Sequence, residues 1–450
     1  MTWFHAFLQQ DAPPLLAGMF AAIACALCGS FLVLRRMSLM GDAISHAVLP
    51  GIVAAFLLSD SLATLPVFLG AAAVGVLTSL LSELVHRVGR VEPGASMGVV
   101  FTILFSIGVI WLEQIGGRSV HLDADCVLYG NMQNAIWPEA PTTLAGLFSL
   151  EALSTLPHAV QTLAIAVVVN IVLIALFFKE LRLSAFDPTL AKALGYRPAL
   201  MHAALMTLVA ITTVAAFEAV GSILVVAMLI VPGVVGHLFC DRLGSLLIVA
   251  TLAAILASAG GYAAGAVLNL DTTGMVGVML GIVLIGAGLI APKHGWLARW
   301  LRRLRLRVAT AREDMLGALW RLEELTPSTS TDVTPVHAPI ARELKNAVGG
   351  GLIARLAFHR LLARGEAPRG DEQRIALTDT GRSRARGVVR AHRLWETYLV
   401  TILGLRPDHV HDTAMTLEHI TDDALRERLA KRVHDARTDP HGSTIPEDRS

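Results

Sequence analysis

The chain has 450 residues, 54% of them hydrophobic, and a formal net charge of +1. That charge balances two unlike halves: residues 1–292 hold 10 basic and 15 acidic side chains, and residues 293–450 hold 27 basic and 21 acidic. The first half is too apolar for a soluble domain and the second has an ordinary soluble composition. A secreted disulfide scaffold, a disordered chain and a single soluble enzyme are therefore excluded. The four cysteines (Cys25, Cys28, Cys126, Cys240) all lie in the apolar half without the spacing of a disulfide framework.

About 20 apolar residues at 1.5 Å each cross a bilayer core. Nine stretches qualify, near 15–34, 41–58, 65–85, 97–113, 159–178, 201–217, 221–239, 246–267 and 274–291. The first is not a signal peptide, because no basic segment precedes it and further spans follow. With the N-terminus outside, the inner loops hold Arg35, Arg36, Arg87, Arg90, Lys179, Arg182, Lys192, Arg197 and Arg242, and the outer segments hold only Arg118. This bias places the C-terminus in the cytoplasm. The long outer segment 114–158 has room for re-entrant or surface helices. Beyond the last span, Trp296, Leu297, Trp300, Leu301 and Leu304 share one helical face and Arg299, Arg302, Arg303 and Arg307 lie mostly off it. That pattern suits a helix lying on membrane lipid, and equally a stop-transfer flank.

Charges inside spans are functional or paired by default. Asp42 and His46 are four apart and share a helix face, Ser45 sits beside them, and Pro50-Gly51 is expected to kink the span. A carboxylate with an imidazole suits manganese, iron or zinc; a buried Asp–His hydrogen bond locking two helices is the alternative. Glu83 is expected to snorkel to the inner surface. Glu113, His121, Asp123 and Asp125 form an acidic outer cluster, Glu218 lies at an outer helix end, and Cys25 and Cys28 read as small-residue helix packing.

Residues 15–292 resemble the permease subunit of zinc/manganese/iron ABC importers. The resemblance rests on Leu34-Arg-Arg-Met-Ser-Leu-Met-Gly-Asp-Ala-Ile-Ser-His-Ala-Val-Leu-Pro-Gly51, Val120-His-Leu-Asp-Ala-Asp-Cys-Val-Leu-Tyr-Gly-Asn131, Phe186-Asp-Pro-Thr-Leu-Ala-Lys-Ala-Leu-Gly195 and Ala219-Val-Gly-Ser-Ile-Leu-Val-Val-Ala-Met-Leu-Ile-Val-Pro232. It implies that Asp42, Ser45 and His46 line the metal pathway. It also implies that the Ala-rich inner loop, with Phe186, Asp187, Ala191 and Gly195, is the coupling helix that docks on an ATPase; a plain connector is the other reading. No Gly-x-x-x-x-Gly-Lys-Ser/Thr occurs, and none of the five lysines follows a glycine, so the chain binds no nucleotide by a P-loop. The ATPase is expected on another polypeptide, a solute-binding protein is expected to deliver the metal, and a second permease copy to complete the pathway.

In the soluble half, helices are expected near 308–325, 338–347, 351–364, 407–418 and 421–437, with a loop at 326–335; residues 374–381 read as a short strand running into a helix that is capped near Thr378 or Thr380 and runs to about 403. Three helices and a β-wing make a winged helix, followed by a helical pair. His392 and Glu396 are four apart, and His411, Met415, Glu418 and His419 form one stripe of one helix. These suit a transition-metal site or a hydrated polar face; His409, His434 and His441 read as solvent residues.

This half resembles the diphtheria-toxin-repressor family of metal-dependent regulators. The motifs are Glu313-Asp-Met315, Leu377-Thr-Asp-Thr-Gly381, Val389-Arg-Ala-His-Arg-Leu-Trp-Glu396, Val410-His-Asp-Thr-Ala-Met-Thr-Leu-Glu-His419 and Pro440-His-Gly-Ser-Thr-Ile-Pro446. The family's metal-binding positions fall on Asp314, His392, Glu396, His411, Met415, Glu418 and His419. Met415 stands where relatives have Cys or a carboxylate, and Gly317 where the manganese branch has an acid. The expected DNA reader begins Gly349-Gly-Gly351 and offers only Arg355, His359 and Arg360 to nucleic acid.

The expected architecture is an all-α polytopic membrane protein of ABC importer permease type with a cytosolic winged-helix and helical metal-binding and dimerisation domain. Its parts are a permease domain 1–292, a basic interfacial linker 293–309, a winged-helix-like domain 310–385 and a metal-binding region 386–450. The expected function is import of manganese, zinc or iron across a bacterial inner membrane, the metal also serving as regulatory ligand. A membrane-anchored metal-dependent transcriptional regulator is the alternative.

Overall fold

The computed structural model describes residues 2–37, 39–59, 64–115, 132–141, 154–325, 341–368, 375–434 and 436–447. The chain divides into two compact units, Met1–Ala298 and Arg299–Ser450.

Among the described residues the first unit has nine helices long and apolar enough to cross a membrane, in agreement with the hydropathy reading. A short helix, α1 (Thr2–Gln10), precedes them and was not anticipated. It is held by a backbone bond from Trp137 N to Gln9 O. Next come α2 (Ala12–Leu34) and a span made of two helices, α3 (Leu39–Ala47) and α4 (Leu49–Ser59). The break falls at Val48, whose carbonyl still accepts from Gly51 N at 2.9 Å, because Pro50 has no N–H to continue the ladder. The spans α5 (Thr64–Gly89), α6 (Pro93–Ile115) and α7 (His158–Leu176) follow. The short helices α8 (Phe178–Phe186) and α9 (Pro188–Ala193) precede α10 (Pro198–Val220), α11 (Ser222–Phe239), α12 (Leu243–Leu268) and α13 (Thr272–Ile290).

α2 is the axis of this unit, packed against α7, α10, α11 and α12. Without a hydrophobic force between helices in lipid, close backbone approach must hold them. Gly29 supplies it: a Cβ there would lie 1.8 Å from the Leu229 carbonyl oxygen of α11. Gly51 of α4 and Gly70 of α5 do the same, each facing the other's carbonyl. Cys25 and Cys28 are fully buried free thiols within this packing.

The second unit contains most of α14 (Trp296–Leu325), which is one helix where an interfacial linker and a separate helix were expected. Trp296, Leu297, Trp300 and Leu301 are all exposed at its start. α15 (Ala341–Ala347) and α16 (Gly351–Ala363) pack on the rest through Met315, Leu316, Leu344, Ala354 and Leu361. The expected strand at 374–381 is corrected. No strand occurs among the described residues, and Ile375 and Leu377 are instead buried against the α14–α16 core. Thr378 then caps α17 (Asp379–Thr401), accepting from Gly381 N at 3.0 Å. α18 (His411–Glu418) and α19 (Asp423–Arg432) complete the unit, with Leu394, Leu429, Ala430 and Ile445 in a second small core.

Candidate metal centres

Helical spacing puts Asp42 and His46 on one face of α3, with Asp42 Oδ1 and His46 Nε2 3.5 Å apart. Both side chains are nearly half exposed, at 43% and 42%. They belong to the same helix and so do not lock two helices together. The His46 ring lies 5.9 Å from Phe101 and edge-on to Phe105 at 6.3 Å, both on α6. Ser45 points its hydroxyl back to the Asp42 carbonyl at 2.6 Å, which leaves the carboxylate free for other partners. Glu83 pairs with Arg87 and lies 3.3 Å from His202. Of the outer cluster only Glu113 is described, exposed near the end of α6; His121, Asp123 and Asp125, and the Glu218 side chain, lie outside the described residues.

On the loop between α7 and α10, Asp187 caps α9 by accepting from Leu190 N at 2.9 Å, and Gly195 ends it at φ +85°. Phe186, Leu190 and Leu194 point outward, 60%, 46% and 60% exposed, whereas Ala191 is fully buried. The outward apolar surface of this loop is therefore Phe186, Leu190 and Leu194 and not Ala191.

Six of the seven expected soluble-unit ligands fall into two trios. In the first, α17 presents His392 and Glu396, both buried, to His411 at the start of α18. His392 Nε2, Glu396 Oε1 and His411 Nδ1 lie 2.9–3.1 Å from one another. That is the corner-to-corner spacing of ligands about 2.1 Å from a common cation, so the donors fit a metal without rearrangement. A cleft of about 250 Å³ reaches them. His441, read as a solvent residue, lines this cleft with its Nε2 3.9 Å from Glu396 Oε1.

In the second trio, His419 Nε2 lies 3.1 Å from Asp314 Oδ1 on α14 and 3.7 Å from Glu418 Oε1. Its other nitrogen, Nδ1, is 2.9 Å from Glu313 Oε2, which fixes the ring. Glu313 was not among the expected ligands. Met415 was, and it is 39% exposed. The trios meet at Glu418, whose Oε2 lies 2.6 Å from His392 Nδ1 while Oε1 faces His419.

Without metal, protons occupy these sites. Burial alone would lower the His419 pKa, but hydrogen bonds to Asp314 and Glu313, with the charges of Asp314 and Glu418, hold it at about 10. Burial likewise opposes ionisation of Glu396, yet hydrogen bonds from His392 and His411 bring it down to about 2. His392 is raised: burial lowers it, but its bonds to Glu396 and Glu418 outweigh that.

A bundle of spans with a broken, Asp–His-bearing helix and an outward apolar loop defines a membrane transport protein, joined here to a unit of His/carboxylate trios. The family model of the ABC 3 transport family matches residues 7–137 and 150–291, and the chain belongs to that family. Residues 378–447 match the iron-dependent repressor metal-binding and dimerisation domain. The chain is 42% identical over 289 residues to the manganese transport system membrane protein MntD of Bacillus subtilis, covering 64% of this chain and 95% of that protein. It is 39% identical over 297 residues to the zinc transport system membrane protein TroD of Treponema pallidum, covering 65% and 77%. The structure of PsaBC from Streptococcus pneumoniae in complex with Fab matches with 28% identity and a TM-score of 0.52, covering 65% of this chain and 94% of that one.

Proposed function

We propose that this chain is the permease of an ATP-driven importer for a divalent transition metal (manganese, zinc or iron), carrying its own metal-sensing domain. The observation that carries the reading is the half-exposed Asp42–His46 pair beside the break in a membrane span. A carboxylate left facing lipid costs about 3 kcal/mol or more, so a partner must cover this face. A second copy does so symmetrically and brings two carboxylates and two imidazoles together, a ligand set suited to these metals. Ser45 bonds the backbone and shapes the turn that carries the pair.

The basic residues of the inner loops support a reading with the N-terminus outside and the soluble unit in the cytoplasm. Phe186, Leu190 and Leu194 then face the cytoplasm as the docking surface of a separate ATPase. Asp187 and Gly195 hold that loop, and Ala191 anchors it from inside. A solute-binding protein delivers metal from outside. In the soluble unit, Asp314, Glu418 and His419 hold one regulatory cation and His392, Glu396 and His411 another, with Glu313 orienting His419. The permease domain is taken as 1–292, the linker as 293–309 and the sensing region as 310–450.

A membrane-anchored DNA-binding regulator is the competing reading. It requires residues 310–450 to bind a specific sequence with α16, which opens on three glycines of positive φ and exposes Arg355, His359 and Arg360. Uptake measured metal by metal, in cells lacking their own importer and supplied with the chain, its ATPase and its binding protein, separates the two. Accumulation of at least one of manganese, zinc or iron supports the importer; accumulation of none, with tight sequence-specific DNA binding, supports the regulator.

A further inference from the structure

A charge network at one end of the first unit is used by neither the metal pair nor the docking surface. Arg35, the residue that closes α2, reaches out with both ends of its guanidinium. Nη1 lies 2.8 Å from His202 Nδ1 on α10, and Nη2 donates to Ser184 Oγ on α8 at 3.0 Å. Arginine only donates, so His202 Nδ1 accepts and its proton sits on Nε2. That nitrogen faces Glu83 Oε2 of α5 at 3.3 Å, and Glu83 also pairs with Arg87. One planar fork therefore ties α2, α8 and α10 together, and reaches α5 through His202.

The position of this network matters more than its energy. Of the nine residues of α8 only Leu181 and Ser184 are buried, so the Arg35 bond is one of two inward anchors of that helix. Ser184 comes three residues before Asp187, the cap of α9, whose outward face carries Leu190. On the other side, Arg36 takes a left-handed turn at φ +58°. Bonds from Met37 N to Leu32 O at 2.9 Å and from Met40 N to Met37 O at 3.0 Å lead the chain into α3. Asp42 stands in the first turn of α3. One side chain and one tight turn thus separate the docking loop from the metal pair.

We propose that Arg35 is a positioning residue for coupling: it passes movement of α8–α9 to the root of α3, so that ATP hydrolysis changes the geometry around Asp42 and His46. The proposal rests on the importer reading above. Lysine keeps the charge but cannot hold two partners in one plane, so Arg35→Lys separates coupling from net charge. The physical warrant for such a link is a change in coupling and not proximity.

The test reconstitutes the full complex in proteoliposomes and measures both metal transported and ATP hydrolysed. In Arg35→Lys, assembly and hydrolysis should stay near wild type while metal moved per ATP falls about fivefold or more. Ser184→Ala, which removes a single hydroxyl, should shift the ratio in the same direction. An unchanged ratio in both variants overturns the proposal. If Arg35→Lys does not assemble, Ser184→Ala decides alone, and an unchanged ratio there is equally fatal. A wild-type complex that moves no metal defeats the importer reading instead, and is distinguishable because it appears before any substitution is made.

Discussion

Metal and proton compete for the same atoms at Asp314, Glu418 and His419. His419 Nε2, the nitrogen a cation would take, is held as a protonated imidazole with a pKa of about 10. That lies well above neutral pH, so a cation binding there must first displace the proton, which weakens its binding at pH 7. The predicted perturbation is therefore pH itself. Between pH 7 and 9, affinity at this trio should rise about tenfold per unit, with close to one proton released per metal bound. The assay is calorimetric titration of manganese into the full chain, in two buffers of different ionisation enthalpy, with Asp42→Asn introduced so that the membrane pair does not contribute. In Glu313→Gln the imidazolium loses the carboxylate that accepts from its Nδ1, so the pH dependence should level off nearer neutrality. Affinity that is flat with pH, with no proton released, would refute the assignment of His419 as a ligand.

Three further outcomes follow from the geometry. Folded-state pKa values raised for His419 and lowered for Glu396 mean that stability of the chelated soluble unit is fullest between about pH 4.5 and 6.5. It should decline as pH rises toward 10 or falls toward 2, read as a melting midpoint, with added metal restoring the alkaline side; a flat alkaline limb argues against the His419 network. Gly29→Ala drives a Cβ into the Leu229 carbonyl, which as backbone cannot yield cheaply, so thermal stability of the first unit should fall by at least about 1–3 kcal/mol; an unchanged melt means α2 and α11 are not held by that approach. Leu190→Asp, on the outward face of α9, should release the ATPase in co-purification while leaving the permease folded; full retention assigns docking to another surface.

Much of the membrane unit was legible because its dominant signal is one-dimensional. Apolar length marks each span, Pro50 marks the break at Val48, and Asp187 and Gly195 mark the ends of α9. The facing of α9 was less legible, since six residues give no clear stripe and Ala191 proved to be the inward one. In the soluble unit the helical stripe identified His411, Glu418 and His419, but two of the groups that shape the sites were hidden. Glu313 is 106 residues from His419 and shows no periodic relation to it, and His441 arrives from the C-terminal segment that folds back beside α17. Arg35 was counted as one more positive charge on an inner loop. Only the fold shows that it spans three helices.

The account turns on a metal passing Asp42 and His46. Its most direct test is energy-dependent metal uptake by the assembled importer, wild type against Asp42→Asn and His46→Ala. The account predicts accumulation of metal by the wild type and its loss, by about tenfold or more, in each variant, with the complex assembled and its ATPase subunit bound. Uptake at the wild-type rate by both variants would contradict it.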